Sequence, residues 1–237
     1  MDAITIQILR NKIGSLVDEM HYHFYRSGYS TIIRESRDFS CVILDAGGRL
    51  IVAPPMFFHA PVYRHLVGRI LALYDGGGGP ESEIAPGDVF VSNHPYEAGM
   101  PHVSDMAFVA PVFAESVGAC PGATAKRRII AFAGTIAHKA DVGGTIPGST
   151  SANATEMFQE GVLLPPIRIR AGGRALPDIE RLILANTRQP ELVKGDVGAQ
   201  IAVTEMGAAR VAEIAARFGA DTLCDAFAAI LNGAANE

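Results

Sequence analysis

An α+β fold is predicted by three features of the sequence. An apolar stripe of helical spacing opens the chain. Runs rich in β-branched and aromatic residues, bounded by Gly and Pro turns, fill the middle. A second set of helical stripes closes it. The 237 residues are 49% apolar and 19% charged, with a mean hydropathy of +0.21. That balance excludes bulk disorder, and the length suffices for a sizeable core.

Over residues 2–26, Ile6, Leu9, Ile13, Leu16, Met20 and Phe24 recur every three or four positions, with Gly28 as a stop. Residues 39–53 read as a hairpin around Asp45-Ala46-Gly47-Gly48, closed by Pro54-Pro55. Residues 62–74 read as a helix and 89–91 as a short buried strand. Residues 105–113 and 128–136 read as longer strands joined by an extended loop over 114–126. Residues 143–154 form a Gly/Ser/Thr-rich segment, and 163–169 are strand-like around Pro165-Pro166. Helices follow over 179–184, 191–218 and 221–231, the long one with Leu192, Val197, Ile201, Val211, Ile214 and Phe218 as core positions. The expected division is a β-rich region over 1–175 and a helical region over 176–237, or one continuous domain.

Several function classes are excluded at this level. The net charge of −5 is spread along the chain, which does not suit nucleic-acid binding. No apolar run reaches the ~18–20 residues of a membrane span. Cys41, Cys120 and Cys224 are scattered, giving neither a disulfide framework nor a thiolate zinc site, so a cytoplasmic, reducing compartment is expected. The four glycines at 76–79 lack the Gly-Lys-Ser/Thr ending of a phosphate loop, and no Gly-x-Ser-x-Gly elbow is present.

The histidines are less evenly placed. Five of seven, His59, His65, His94, His102 and His138, fall between positions 56 and 139. His102-Val103-Ser104-Asp105 and His138-Lys139-Ala140-Asp141 repeat one pattern, His-x-x-Asp, beside two strands. Were those strands antiparallel, both patterns would meet at one sheet end. Two imidazoles and one or two carboxylates suit a divalent metal such as Zn, Mn or Fe, acting as Lewis acid or lowering the pKa of water. The alternative is a pair of turn-capping aspartates at strand ends. Asn93-His94-Pro95-Tyr96 is either a site loop or a turn. Gly143-Gly144 with Pro147-Gly148-Ser149 either presents amides to an anion or needs positive φ. Glu156 and Glu160 would share a helix face, most simply a solvated one. His21 and His23 are two apart and would face different ways. Cys41 reads as a small core residue.

Taken in order, Asp38-Phe39-Ser40-Cys41, Gly87-Asp88-Val89-Phe90, Asn93-x-Pro95-Tyr96, His102-x-x-Asp105, Ala137-His138-Lys139-x-Asp141-x-Gly143-Gly144, Pro147-Gly148-Ser149 and Glu160-Gly161 resemble the hydantoinase B/oxoprolinase family, which includes the alpha subunit of acetone carboxylase. Asn186-x-Arg188-x-Pro190 and Gly195-Asp196-x-x-Ala199-Gln200 extend the likeness over nearly the whole chain. The resemblance implies a B-type subunit working with a hydantoinase A-type subunit that uses ATP to activate a small-molecule substrate. The reaction is then ring opening of a hydantoin, lactam or 5-oxoproline, or carboxylation of a ketone. A non-catalytic scaffold is the third alternative. It further implies that His102, Asp105 and His138 hold the metal, with Asp141 as a fourth ligand or orienting partner and Asn93 in the site loop. Two departures stand out. Lys139 replaces a His of many relatives and is expected in solvent or beside a carboxylate or phosphate oxygen. The chain is also under half the usual length, so either a further polypeptide supplies the rest or the chain is a truncated form.

Overall fold

A computed structural model describes residues 2–54, 60–74, 76, 83–116, 126–149 and 151–234. His59, Cys120, Gly77 to Pro80 and the centre of the expected 114–126 loop lie outside these.

The first helix, α1 (Ala3–Ser27), starts where the Asp2 carboxylate accepts from the Thr5 amide at 2.9 Å, and ends at Gly28. Of the predicted stripe, Leu9, Ile13, Leu16, Met20 and Phe24 are buried and Ile6 partly so, and Val17 joins them. The chain continues through a π-helical turn (Ile32–Ser36), β1 (Phe39–Asp45), α2 (Ala60–Leu73), β2 (Val89–Ser92), the short α3 (Pro95–Ala98), β3 (Asp105–Ser116) and β4 (Lys126–His138). It ends with β5 (Ile167–Ala171), β6 (Arg174–Ala175), α4 (Pro177–Ala185), α5 (Pro190–Phe218) and α6 (Ala220–Ala234).

The six strands form one antiparallel sheet in the order β1-β4-β3-β2-β5-β6. The edge strand β1 and its neighbour β4 are covered on both faces. In β1, Phe39, Cys41 and Ile43 pack under α1, α5 and α6, while Val42 and Leu44 pack under α2. In β4, Ala131, Ala133 and Ala137 face α1 and α5, while Phe132 and Ile136 face α2. Double-sided burial explains why these strands read as continuous apolar runs rather than an alternation.

Three expectations are amended. The partner strand of the 39–53 hairpin shrinks to a single Leu44–Leu50 bridge. The Asp45 carboxylate accepts from the amides of Gly47 (3.0 Å) and Arg49 (2.7 Å), which tightens the turn, and past the bridge the Ile51 amide still donates to the Ile43 carbonyl at 3.2 Å while its side chain joins the core under α1. The strand expected at 163–169 begins only at Ile167, because Pro165 and Pro166 have no N–H for a ladder. Glu156 and Glu160 flank a 3-10 turn (Met157–Gln159) instead of sharing a helix face, and a Glu160 oxygen accepts from the Val103 amide at 3.2 Å.

Along α5 the apolar face carries a buried polar row, Asp196, Gln200 and Thr204, spaced by four. Asp196 accepts from the amides of Tyr29 (2.7 Å) and Ser30 (3.1 Å). Thr204 bonds Thr135 of β4 through their hydroxyls at 2.8 Å. α5 is thereby tied both to the segment after α1 and to the sheet. No helix among the described residues is long and apolar enough to cross a membrane.

Candidate metal centre

The β3–β4 pairing sets the site. Its first rung places Asp105 opposite His138, and His102 precedes Asp105 by a turn in which the Asp105 amide donates to the His102 carbonyl at 3.2 Å. His102 Nε2 lies 3.3 Å from Asp105 Oδ2, and His138 Nδ1 lies 3.3 Å from Asp105 Oδ1. The two rings are 4.9 Å apart, tilted by 52°. One ligand atom from each of the three residues falls within 4.8 Å of the others.

Burial is graded across the group. Asp105 is 2% exposed, the His138 side chain 17% and the His102 side chain 42%. The carboxylate therefore forms the floor and His102 the mouth. His138 Nδ1 is buried, and among the described residues no neighbour meets it with hydrogen-bond geometry. Such a nitrogen is costly unless something else engages it. Two imidazoles and one carboxylate, open on the solvent side, match the three-ligand pattern of catalytic divalent centres. The donor set fits a divalent metal, which His102, Asp105 and His138 could hold.

A residue not singled out as a ligand from sequence approaches the same point. After the π-helical turn, Arg37 adopts a left-handed backbone (φ 53°). A non-glycine residue there costs about 1 kcal/mol. The turn delivers the Asp38 carbonyl to the His138 amide at 3.1 Å and its Oδ2 to 4.0 Å from His138 Nδ1. In the sequence Asp38 shows only as part of a motif; its tie to His138 is a long-range strand contact.

The other predicted site residues lie apart from this group. Asp141 is not among the three residues whose ligand atoms converge, and both its oxygens are engaged elsewhere. Its Oδ1 accepts from the amides of Gly143 (2.9 Å) and Arg188 (3.0 Å), and its Oδ2 from the Gly148 amide (3.0 Å) and the Arg188 guanidinium (2.9 Å). Burial would raise this carboxyl, but these donors outweigh it and hold it below its ordinary value. The anion that the Gly143–Gly148 loop accommodates is the protein's own Asp141. Gly143 (φ 91°) and Gly144 (φ 79°) are required here, since a Cβ would meet the carbonyl oxygens of Asn186 and Gln159, each at 2.6 Å.

Asn93 is likewise committed. Its amide nitrogen donates to the carbonyls of Val103 and Val162, each at 2.8 Å, and its oxygen accepts from the Leu164 amide at 2.7 Å. It braces the 102–105 turn from behind. His94 caps α3 by accepting from the amides of Tyr96 and Glu97. His21 accepts from the Cys41 amide at 3.2 Å.

Lys139 departs most from expectation. It is fully buried. Its ammonium donates to Gln200 Oε1 and lies 3.4 Å from the Ala137 carbonyl. Burial lowers its pKa to about 8, while the charges of Asp196 and Asp105 act in the opposite direction. The signal that could have located its partners is the polar row at 196, 200 and 204 in an otherwise apolar helix.

Known proteins share this architecture. The family model for hydantoinase B/oxoprolinase matches residues 2–237. The chain is 32% identical over 222 residues to an uncharacterised protein of Methanocaldococcus jannaschii, covering 92% of this chain and 36% of that one. It is 31% identical over 237 residues to the B subunit of a putative D-/L-hydantoinase from a Pseudomonas species, covering 98% of this chain and 37% of that one. Among solved structures, ATP-dependent caprolactamase from Pseudomonas jessenii superposes with a TM-score of 0.79 at 23% identity, over 97% of this chain and 37% of that one. Nucleotide-free acetone carboxylase gives 0.81 at 18% identity, over 96% and 28%; at these identities the likeness is one of fold. The chain spans about a third of the length of the Methanocaldococcus, hydantoinase and caprolactamase relatives and less than a fifth of the 5-oxoprolinases it matches. With the family model covering the chain from residue 2 to its last residue, and its motifs on the strand ends and turns described above, the chain belongs to the hydantoinase B/oxoprolinase family.

Proposed function

We propose that this chain carries the metal-bearing part of a B-type subunit in an ATP-dependent hydrolase of cyclic amides, with a divalent cation held by His102, Asp105 and His138. The observation that carries the reading is the convergence of those three side chains, from two His-x-x-Asp patterns, within 4.8 Å. The curated relatives support the substrate class: by name they include a putative hydantoinase, a caprolactamase and a 5-oxoprolinase.

In this reading the cation supplies Lewis acidity toward a carbonyl or water. The chain's own residues do the rest. Asp105, buried at the head of β3, fixes both imidazoles by facing one nitrogen of each. His102, at the mouth, is the side that a substrate meets first. Asp38 stands beside His138 as a nearby carboxylate able to accept a proton. Asn93 and Glu160 hold the turn that carries His102. Asp141 and Arg188 lock the adjoining loop without touching the reacting groups. A hydantoinase A-type subunit would use ATP to activate the substrate, and the rest of the B-type subunit, in this polypeptide or another, would complete it. The free thiols Cys41 and Cys224 suit a reducing, cytoplasmic setting.

The test is ring opening by the chain assembled with such partners, given ATP and a panel of hydantoins, lactams and 5-oxoproline. Turnover that disappears in Asp105→Ala is the expected result; no turnover across the panel contradicts it. Acetone carboxylase shares the fold, so a ketone carboxylase is the second reading. ATP hydrolysis that rises with bicarbonate and a ketone would favour it. Full activity in His102→Ala and His138→Ala would favour a scaffold instead.

A further inference from the structure

The geometry points to Lys139 as a positioning residue that clamps the two metal-bearing strand ends to α5, an inference that rests on the metal reading above. Three contacts surround Asp105 and His138. The Lys139 amide donates to the Ser104 carbonyl at 2.8 Å. The Lys139 ammonium donates to Gln200 Oε1. Gln200 in turn donates from Nε2 to the Met106 carbonyl at 2.8 Å. Ser104 and Met106 are the residues on either side of Asp105, and His138 is the residue before Lys139. The clamp therefore holds Asp105 by both flanks and His138 by its neighbour, and it crosses from β4 through α5 to β3.

Every member is out of water: Lys139, Gln200 and Met106 are 0% exposed and Ser104 1%. Placing an ammonium there costs several kcal/mol before compensation. Methionine would fill the same space without that cost. What lysine adds is a directed donor to Gln200 Oε1. Groups behind a metal ligand set its orientation, and their loss typically weakens metal affinity by about 10–100-fold.

The experiment is Zn2+ affinity by competition with a chromophoric chelator, on the full chain, alongside the unfolding midpoint of the metal-free protein. Lys139→Met is expected to weaken Zn2+ binding by about 10–100-fold and Gln200→Met by about tenfold. Thr204→Val, one helical turn further along α5, removes the buried hydroxyl bonds to Thr135 and to the Gln200 backbone carbonyl but leaves the Gln200 side chain and its bonds to Lys139 and Met106 in place, and is expected to retain wild-type affinity. Should Lys139→Met fail to fold, Gln200→Met against Thr204→Val decides. Folded variants that bind Zn2+ within twofold of wild type overturn the clamp, as does an equal loss in Thr204→Val, which would mean that general docking of α5 is responsible. Wild-type protein that binds no Zn2+, Mn2+ or Fe2+ overturns the metal reading itself, a result distinct from the other two.

Discussion

Asp105 and Asp141 each close a His-x-x-Asp pattern, yet they are held in opposite ways. Asp141 is surrounded by donors: three backbone amides and one guanidinium share its two oxygens. Asp105 faces two imidazole nitrogens, one per oxygen, each at 3.3 Å. Both are buried, so burial alone does not separate them. The partners do. A carboxylate whose oxygens are filled by fixed amides is a brace for a loop. One that shares its oxygens between two imidazoles, at the open end of a sheet, is in the proposed reading a ligand of the cation.

The comparison breaks first at Asp105. Structural zinc binding of roughly 10–16 kcal/mol, divided among about four ligands, gives ~2.5–4 kcal/mol for each. Asp105→Ala should therefore weaken metal binding by on the order of 10²–10³-fold while the metal-free protein stays folded, measurable by metal titration and circular dichroism. Asp141→Asn should do the reverse. Leaving amides and Arg188 without their charge is expected to cost about 3 kcal/mol of stability in urea unfolding, with metal affinity unchanged. If Asp141→Asn abolished metal binding in a folded protein, the two carboxylates would not have separate roles.

Arg188 sharpens the contrast at smaller magnitude. Its guanidinium also reaches the carbonyls of Gly143 and Ile146, each at 3.1 Å, but is partly exposed. Arg188→Met should cost about 1–2 kcal/mol, because the amides still serve Asp141. The smallest effect is in pH. The folded Asp141 carboxyl lies below its ordinary value, so its contribution is present above the unfolded value of about 3.9 and is lost as pH falls through the folded one. Wild type should lose stability more steeply than Asp141→Asn below about pH 4. Equal slopes in acid urea titrations would contradict the assignment.

The same contrast marks how far residue order alone reaches. The meeting of His102, Asp105 and His138 is readable because the apolar runs beside them identify two strands, and adjacent strands pair antiparallel. The fate of Asp141 is not, since Arg188 lies 47 residues away and only folded loops bring it near. Lys139 defies the expectation of a solvated side chain because lysine is seldom buried; its partners sit on a helix that reaches it across the sheet. Asp196, Gln200 and Thr204 do hint at this through their spacing of four, since polar residues on a core-facing stripe need partners. The shortened hairpin after β1 depends on how one carboxylate, Asp45, arranges its own turn.

The most direct test is anomalous diffraction from crystals of the chain grown with Zn2+ or Mn2+, recorded on both sides of the metal edge. The account predicts a single strong peak about 2.0–2.2 Å from nitrogens of His102 and His138 and an oxygen of Asp105. No peak between those side chains at millimolar metal, or a peak at Asp141 instead, would contradict it.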